Sequence, residues 1–335
     1  MNSSTYVIAE LSANHNNDLE LALKTINAIA ACGADAVKVQ TYNADSMTLD
    51  VNNSYFGPRK SGLWKGRTLY SLFEEGSLPN SWLPTLKNRA NSLGLDFFST
   101  PFDLLAVDVL EELGVPKYKI ASPEINYTSL IEKVAKTGKP IIISTGLAEF
   151  SDIDLAVRIC KNVGNHDITL LKCTSQYPSK KSDANLLNML SLKEDFGVKV
   201  GLSDHTMGSE VPITAVAIGA SVVEKHFVLD RELGGIDSEF SMNPEEFKTM
   251  VDGIRLTERI LGKSSYRSIG DDCLRRRSIF VSKDIEKGEL FNEDNLKVVR
   301  PGHGLHPRYY RNCIGLKATR SYKRGEPLDI IPNGF

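Results

Sequence analysis

The sequence has no long apolar run. No stretch approaches the roughly 20 consecutive apolar residues that span a bilayer, so no transmembrane helix and no membrane partner is expected. The opening residues, Met1-Asn-Ser-Ser-Thr-Tyr6, hold no basic segment followed by an apolar one, so no secretory signal is expected either. Cysteine is scarce and odd in number. The five thiols, at positions 32, 160, 173, 273 and 313, show no C-x-x-C spacing. That fits a reduced cytoplasm better than a disulfide framework. Excess charge of one sign is also missing, since 40 basic side chains face 42 acidic ones. Without a basic excess no nucleic-acid partner is expected. Finally, no G-x-G-x-x-G follows the first apolar run, which weakens a nucleotide-binding reading.

What the chain does have is a repeated unit of amphipathic segment, glycine and short apolar run. Gly33, Gly94, Gly114, Gly138, Gly164, Gly197 and Gly219 each stand one to four residues before such a run. Helices often end in a left-handed residue, and glycine takes that conformation without steric cost. The runs are 36–40, 96–100, 118–121, 140–144, 168–172, 199–202 and 221–225, and 6–10 adds an eighth. A helix from about 245 to 261 closes the series. Continuous apolar strands alternating with helices predict a parallel sheet covered on both faces. Eight units match an α/β fold of the (β/α)8 TIM-barrel type, with a doubly wound sheet as the alternative.

Two regions break the pattern. The connection 41–79 is too long for a barrel loop and is read as a substrate-covering loop with a short helix at 69–75. After Gly262 a polar, basic linker covers 263–277, and a small module fills 278–335. The module contains two similar pieces, Lys283-Asp-Ile-Glu-Lys-Gly and Ser321-Tyr-Lys-Arg-Gly. Its size is marginal for an independent core, so it is expected to dock on something larger.

Polar residues gather where the apolar runs end, the place where barrel active sites are built. Glu10, Lys38, Gln40, Thr100, Lys119, Ser122, Glu124, Ser144, Lys172, Ser175, Tyr177, Ser203, His205, Glu224 and His226 all fall there. Lysines at strand ends are costly unless they face a ligand or a partner. Lys38, Lys119 and Lys172 with several hydroxyls suit a phosphorylated, carboxylated anion. His205 and His226 follow apolar runs that would be neighbouring strands, which places two imidazoles at one sheet edge. A pair of neutral imidazoles suits a divalent transition metal with open positions. A different reading gives Lys172 the Schiff-base role of a class I aldolase, without a metal. A third makes the C-terminal module a carbohydrate- or ice-binding domain.

Glu10-Leu-Ser-Ala-Asn-His, Val37-Lys-Val-Gln-Thr, Phe98-Ser-Thr-Pro-Phe, Tyr118-Lys-Ile-Ala-Ser, Gly201-Leu-Ser-Asp-His and Glu224-Lys-His-Phe resemble the sialic acid synthase family, in order along the chain. The C-terminal module, with Lys283-Asp-Ile-Glu-Lys-Gly and Arg300-Pro-Gly, resembles that family's antifreeze-like (SAF, β-clip) domain. Gly62-Leu-Trp-Lys-Gly-Arg and Gly304-Leu-His-Pro look most like the pseudaminic acid synthase branch, with N-acetylneuraminate and legionaminic acid synthases as alternatives.

The resemblance implies condensation of phosphoenolpyruvate with an acetamido sugar, using a divalent metal, manganese first, then magnesium or cobalt. It implies that His205 and His226 bind the metal with Glu10 close by. Lys38, Thr100, Lys119, Ser122, Ser144 and Ser203 would hold phosphoenolpyruvate, and Glu124 would move protons. Gln40, Tyr177 and Asp237 would face the sugar. Ser175 stands where the family's sialic acid synthases carry asparagine. Arg300 would reach the sugar of a partner subunit in a domain-swapped homodimer.

Overall fold

The structure, a computed structural model, describes residues 4–262 and 275–329. The chain divides into two compact units, Met1–Gly262 and Lys263–Phe335. Of the linker expected at 263–277, only the last three residues are described, and Cys273 lies outside the described residues.

In the first unit eight parallel strands close into a barrel, each bonded to the next and β8 to β1. They are β1 (Tyr6–Glu10), β2 (Ala36–Thr41), β3 (Asp96–Pro101), β4 (Tyr118–Ile120), β5 (Ile141–Ser144), β6 (Ile168–Cys173), β7 (Lys199–Asp204) and β8 (Val222–His226). Closure removes the doubly wound alternative. The strands form where the sequence is apolar on both faces. Ile141, Ile142 and Ile143 of β5, for example, are all buried, one side among barrel residues and the other under helices. Burying each such side chain contributes about 1.5–3 kcal/mol.

All seven glycines of the repeat have positive φ. Gly114 and Gly197 cap the helices Leu104–Leu113 and Asn188–Phe196 in the left-handed conformation, where a Cβ would be strained. The last helix of the first unit, Pro244–Leu261, starts on a capping box in which Asn243 and Glu246 satisfy each other's backbone N–H groups. Among the described residues no helix is long and apolar enough to cross a membrane. Cys32, Cys160, Cys173 and Cys313 are buried free thiols.

The long connection after β2 carries two helices, Ala44–Met47 and Leu69–Gly76. Trp64 ties it down by donating from Nε1 to the carbonyl of Ile236, 3.1 Å away.

In the second unit β9 (Ser278–Val281) pairs antiparallel with β10 (Leu296–Val299). The two similar pieces of sequence meet, with Ile285 bridged to Tyr322. Ile279, Val281, Ile285, Phe291, Leu296, Tyr322 and Leu328 form its own small core.

Candidate active site

Strand register decides which side chains enter the barrel. Glu10 pairs with Lys38 and with His226, Cys173 with Ser203, and Ser203 with Glu224. Because successive residues alternate faces, these positions share the interior at the C-terminal ends of the strands. Four charges lie there, each no more than 4% exposed: Glu10, Lys38, Lys119 and Glu224. Lys38 bridges Glu10 at 3.1 Å and Glu224 at 3.0 Å, while Lys119 reaches Glu224 at 3.1 Å. Ser203 adds a hydrogen bond of 3.1 Å to Glu224, and Gln40 donates to Glu10 at 2.8 Å.

The charges hold one another in the ionised state. Burial alone would raise the Glu10 pKa, but Lys38, Lys119 and the hydrogen bond from Gln40 overturn that and hold it well below the usual carboxylate range. Burial likewise disfavours the ammonium of Lys38, and Glu10 and Glu224 outweigh it, raising its pKa. Lys119 stands differently: burial dominates, and its pKa is lowered. Glu124, on the short helical turn after β4, is pushed up to about 7, mainly by burial, against the pull of Lys119. At neutral pH this carboxyl stands near half protonation, the condition for giving or taking a proton.

The two histidines approach each other beside this cluster. Their ring centroids are 5.3 Å apart. Nδ1 of His205 lies 2.9 Å from the carbonyl of Thr174, which can only accept. Burial lowers the His205 pKa, but Cys173 and the Thr174 carbonyl outweigh it and raise it; in the neutral ring the hydrogen sits on Nδ1, and the Nε2 lone pair is left for a ligand. His226 Nε2 is 3.3 Å from Glu10, and its Nδ1 is 4.0 Å from Asp237. Burial keeps His226 below its ordinary pKa, in the neutral form that binds metal.

Two imidazoles on one divalent ion, with metal–nitrogen distances of about 2.1 Å, have centroids about 5 Å apart. The observed spacing fits that. Among the described residues no three His, Cys, Asp or Glu side chains form a ready-made cage. The donors fit an open site, in which substrate oxygens or water would fill the remaining positions.

Buried polar atoms without partners mark the same place. Thr100 Oγ1, Ser144 Oγ, Glu124 Oε2, Glu224 Oε2 and His226 Nδ1 are such atoms, all at the mouth of the barrel. Unpaired buried groups cost about 1–3 kcal/mol each, so their concentration here points to a polar ligand.

Most of the residues expected from sequence thus converge. Asp237 accepts from Ser12, which also accepts from Gln40. Tyr177 stacks against His205 at 4.4 Å and touches Phe240 and Trp64. Ser122 faces the loop after β5 and accepts from the N–H of Leu147 at 2.7 Å. Ser175 lies 3.8 Å from the Cys173 sulfur. Arg300 is exposed on the second unit, just after β10.

One expected residue departs. Lys172 neighbours Cys173, and Cys173 faces the interior near His205. Lys172 therefore points outward, to a cleft of about 360 Å³ between helices, with Phe150, Ile153 and Leu192. Its ammonium donates to the carbonyl of Cys173 at 2.7 Å. A Schiff base on it would form on the wrong side of the sheet from the polar cluster, which removes the aldolase reading's nucleophile. Conversely, Ser12 and Cys173 belong to the site without having been singled out for it, and Glu224, expected at a strand end, was given no role there. Glu224 was legible: it stands two residues before His226, on the same face of a strand.

Beside Asp237 opens a cavity of about 140 Å³ lined by Ala13, Tyr42, Trp64, Leu69, Leu72, Phe73 and Ile236. The long connection supplies much of its apolar wall.

Comparison with known proteins agrees with this geometry. Residues 25–266 match the NeuB family and residues 276–329 the SAF domain. The chain is 48% identical over 326 residues to a pseudaminic acid synthase of Helicobacter pylori, covering 96% of each. It is 44% identical to a pseudaminic acid synthase of Campylobacter jejuni, covering 96% of this chain and 95% of that one. The crystal structure of an N-acetylneuraminic acid synthetase from Leptospira borgpetersenii superposes with a TM-score of 0.73 at 35% identity, over 81% of this chain and 90% of that one. With the family matched across the barrel and the SAF domain following it, the chain belongs to the NeuB family.

Proposed function

We propose that the chain condenses phosphoenolpyruvate with 2,4-diacetamido-2,4,6-trideoxy-L-altrose and water, giving pseudaminic acid and phosphate. The observation that carries this is the apolar cavity beside Asp237, next to the polar cluster. A 6-deoxy sugar presents a methyl group where other hexoses carry a hydroxyl, and Trp64, Leu69, Leu72 and Phe73 offer surface for it. The similarity to two pseudaminic acid synthases supports the same reading.

The chain's own groups divide the work. Lys38 and Lys119 meet the phosphate and carboxylate, assisted by the free hydroxyls of Thr100 and Ser144. Two lysines balanced by Glu10 and Glu224 leave no surplus positive charge for so anionic a substrate, and a divalent cation held by His205 and His226 would supply it. When bound, that ion, manganese in this proposal, would polarise the sugar aldehyde. C3 of phosphoenolpyruvate bonds to the aldehyde carbon, water adds at C2, and phosphate leaves with its bridging oxygen. Lysine ammonium groups stabilise the departing dianion. Gln40, Tyr177 and Asp237 orient the sugar. Use of phosphoenolpyruvate and the buried free thiols support a cytoplasmic enzyme. Phosphoenolpyruvate labelled with oxygen-18 at the bridge tests the bond cleaved. Label is expected in the released phosphate, and label kept in the sugar acid would contradict the mechanism.

Glu124 is proposed as the proton carrier, and its position near pH 7 has a measurable consequence. Burial raises the folded-state pKa from 4.5 to about 7, so between those values the native state holds a proton that the unfolded state lacks. The carboxyl is the acid below about pH 7 and the base above it. The pH profile of kcat is expected to show a limb near 7 that disappears in Glu124→Gln. A limb that persists unchanged would assign the proton step to another group.

The enzyme is further proposed to act as a homodimer in which Arg300 serves the partner's barrel. Residues 263–335 carry 15 basic and 9 acidic side chains, whereas residues 1–262 carry 25 and 33. Opposite charge favours docking of the small unit on a barrel.

A further inference from the structure

On β7 and β8 a charged residue precedes each histidine and points the other way. The outward row of β7 reads Val200, Leu202, Asp204, and that of β8 reads Val223, Lys225. Both rows are apolar until the end that bears the histidine. There Asp204 and Lys225, direct partners in register, form an ion pair of 2.5 Å with exposures of 4% and 1%. Thr206 completes the contact. Its N–H and hydroxyl donate to the two carboxylate oxygens of Asp204 at 3.1 and 3.0 Å. Its carbonyl accepts from the Lys225 ammonium. One ammonium on β8 therefore grips the chain on both sides of His205, through residues 204 and 206.

A buried ion pair is a poor device for stability, since apolar residues of similar volume do as well or better. Apolar residues do occupy the same rows a turn of the pleat below. What the pair offers is geometry: it fixes the two strand ends relative to each other from behind, while the Thr174 carbonyl fixes the His205 ring from the front. Resting on the reading of the two histidines as metal ligands, we infer that Asp204 and Lys225 are positioning residues. From the helix side of the sheet they set the separation of His205 and His226 as a two-imidazole cation site.

The test measures Mn2+ binding to the full-length enzyme without substrate, by loss of the free-ion paramagnetic resonance signal, together with the nitrogen couplings of the bound ion. Wild type is expected to bind with coupling from two imidazoles, and His205→Ala to lose binding. If wild type binds no Mn2+, the metal reading fails and takes this inference with it. The variant Asp204→Asn with Lys225→Met removes both charges at nearly constant volume, leaving no unpaired ion. It is expected to fold and to bind Mn2+ about 10–100-fold more weakly, the range for groups that orient ligands. One imidazole coupling is expected to weaken with it. Wild-type affinity and both couplings in the folded double variant, with His205→Ala still inactive in binding, would overturn the positioning role alone. If the double variant does not fold, Lys225→Arg replaces it, keeping the charge but not the paired contacts to Asp204 and Thr206. At least about 3-fold weaker binding is expected there, and unchanged affinity would overturn the role.

Discussion

Replacing His205 or His226 with alanine is expected to leave less than about 1% of wild-type turnover while the fold survives. Both imidazoles are buried at the mouth of the barrel, 5.3 Å apart between centroids, with hydrogen bonding that leaves a lone pair on His205. Changes to groups that merely orient a metal ligand cost about 10–100-fold, so loss of a ligand from a two-imidazole site should cost at least the upper end of that range. Excess chelator is expected to silence wild type equally, and added Mn2+ to restore it. Steady-state phosphate release with circular dichroism as the fold control measures this. Full activity in excess chelator would remove the metal from the account.

The second large effect concerns Arg300. The turn that carries it is pinned: Ser278 donates to the carbonyl of Pro301 at 2.7 Å and accepts from the N–H of Gly304 at 2.9 Å. A guanidinium held on such a turn can give two parallel hydrogen bonds to an acetamido carbonyl or to neighbouring acceptors, which lysine cannot copy. Arg300→Ala and His205→Ala are each expected to be nearly inactive alone. If Arg300 serves the partner's barrel, a heterodimer of the two variants contains one site intact in both residues and one site lacking both. Each heterodimer should then show about half the activity of a wild-type dimer. Tagged subunits make exchange visible by tandem purification. Exchange without recovered activity would return Arg300 to its own barrel.

Much of the fold was legible because one physical rule recurs. A left-handed glycine ends each helix before a short apolar strand, and all seven such glycines have positive φ. The expected helix at 69–75 appears as Leu69–Gly76 for a similar reason: Thr68 caps it by accepting from the N–H of Ser71. What the linear sequence hid was facing. Lys172 and Lys119 both stand near strand ends in apolar runs, yet register turns Lys119 inward onto Glu224 and Lys172 outward under the helices. Short, wholly apolar strands have no polar alternation from which to read that parity.

The sugar-facing wall was half legible for the same reason. Of the apolar residues in the long connection, read as a substrate-covering loop, Trp64 and Leu69 line the cavity, whereas Leu63 is exposed and Tyr70 donates to Asp45 at 3.0 Å. Leu72 and Phe73 take their places, because the helix phase beginning at Leu69 puts them on the inner face. The buried ion pair Lys38–Glu224 could not be read at all, since it joins β2 to β8, which only closure of the barrel brings together.

The central claim is the identity of the sugar, and phosphate release from phosphoenolpyruvate and Mn2+ with a panel of hexoses tests it most directly. A pocket that meets the C6 methyl with Trp64, Leu69, Leu72 and Phe73 rejects an added hydroxyl only moderately, by about 100-fold. The kcat/KM for 2,4-diacetamido-2,4,6-trideoxy-L-altrose is therefore expected to exceed that for N-acetylmannosamine by about that factor, and to exceed that for a stereoisomeric 2,4-diacetamido hexose as well. Equal values, or a preference for N-acetylmannosamine, would contradict the account and make the chain a sialic acid synthase. A preference for the stereoisomer would make it a legionaminic acid synthase.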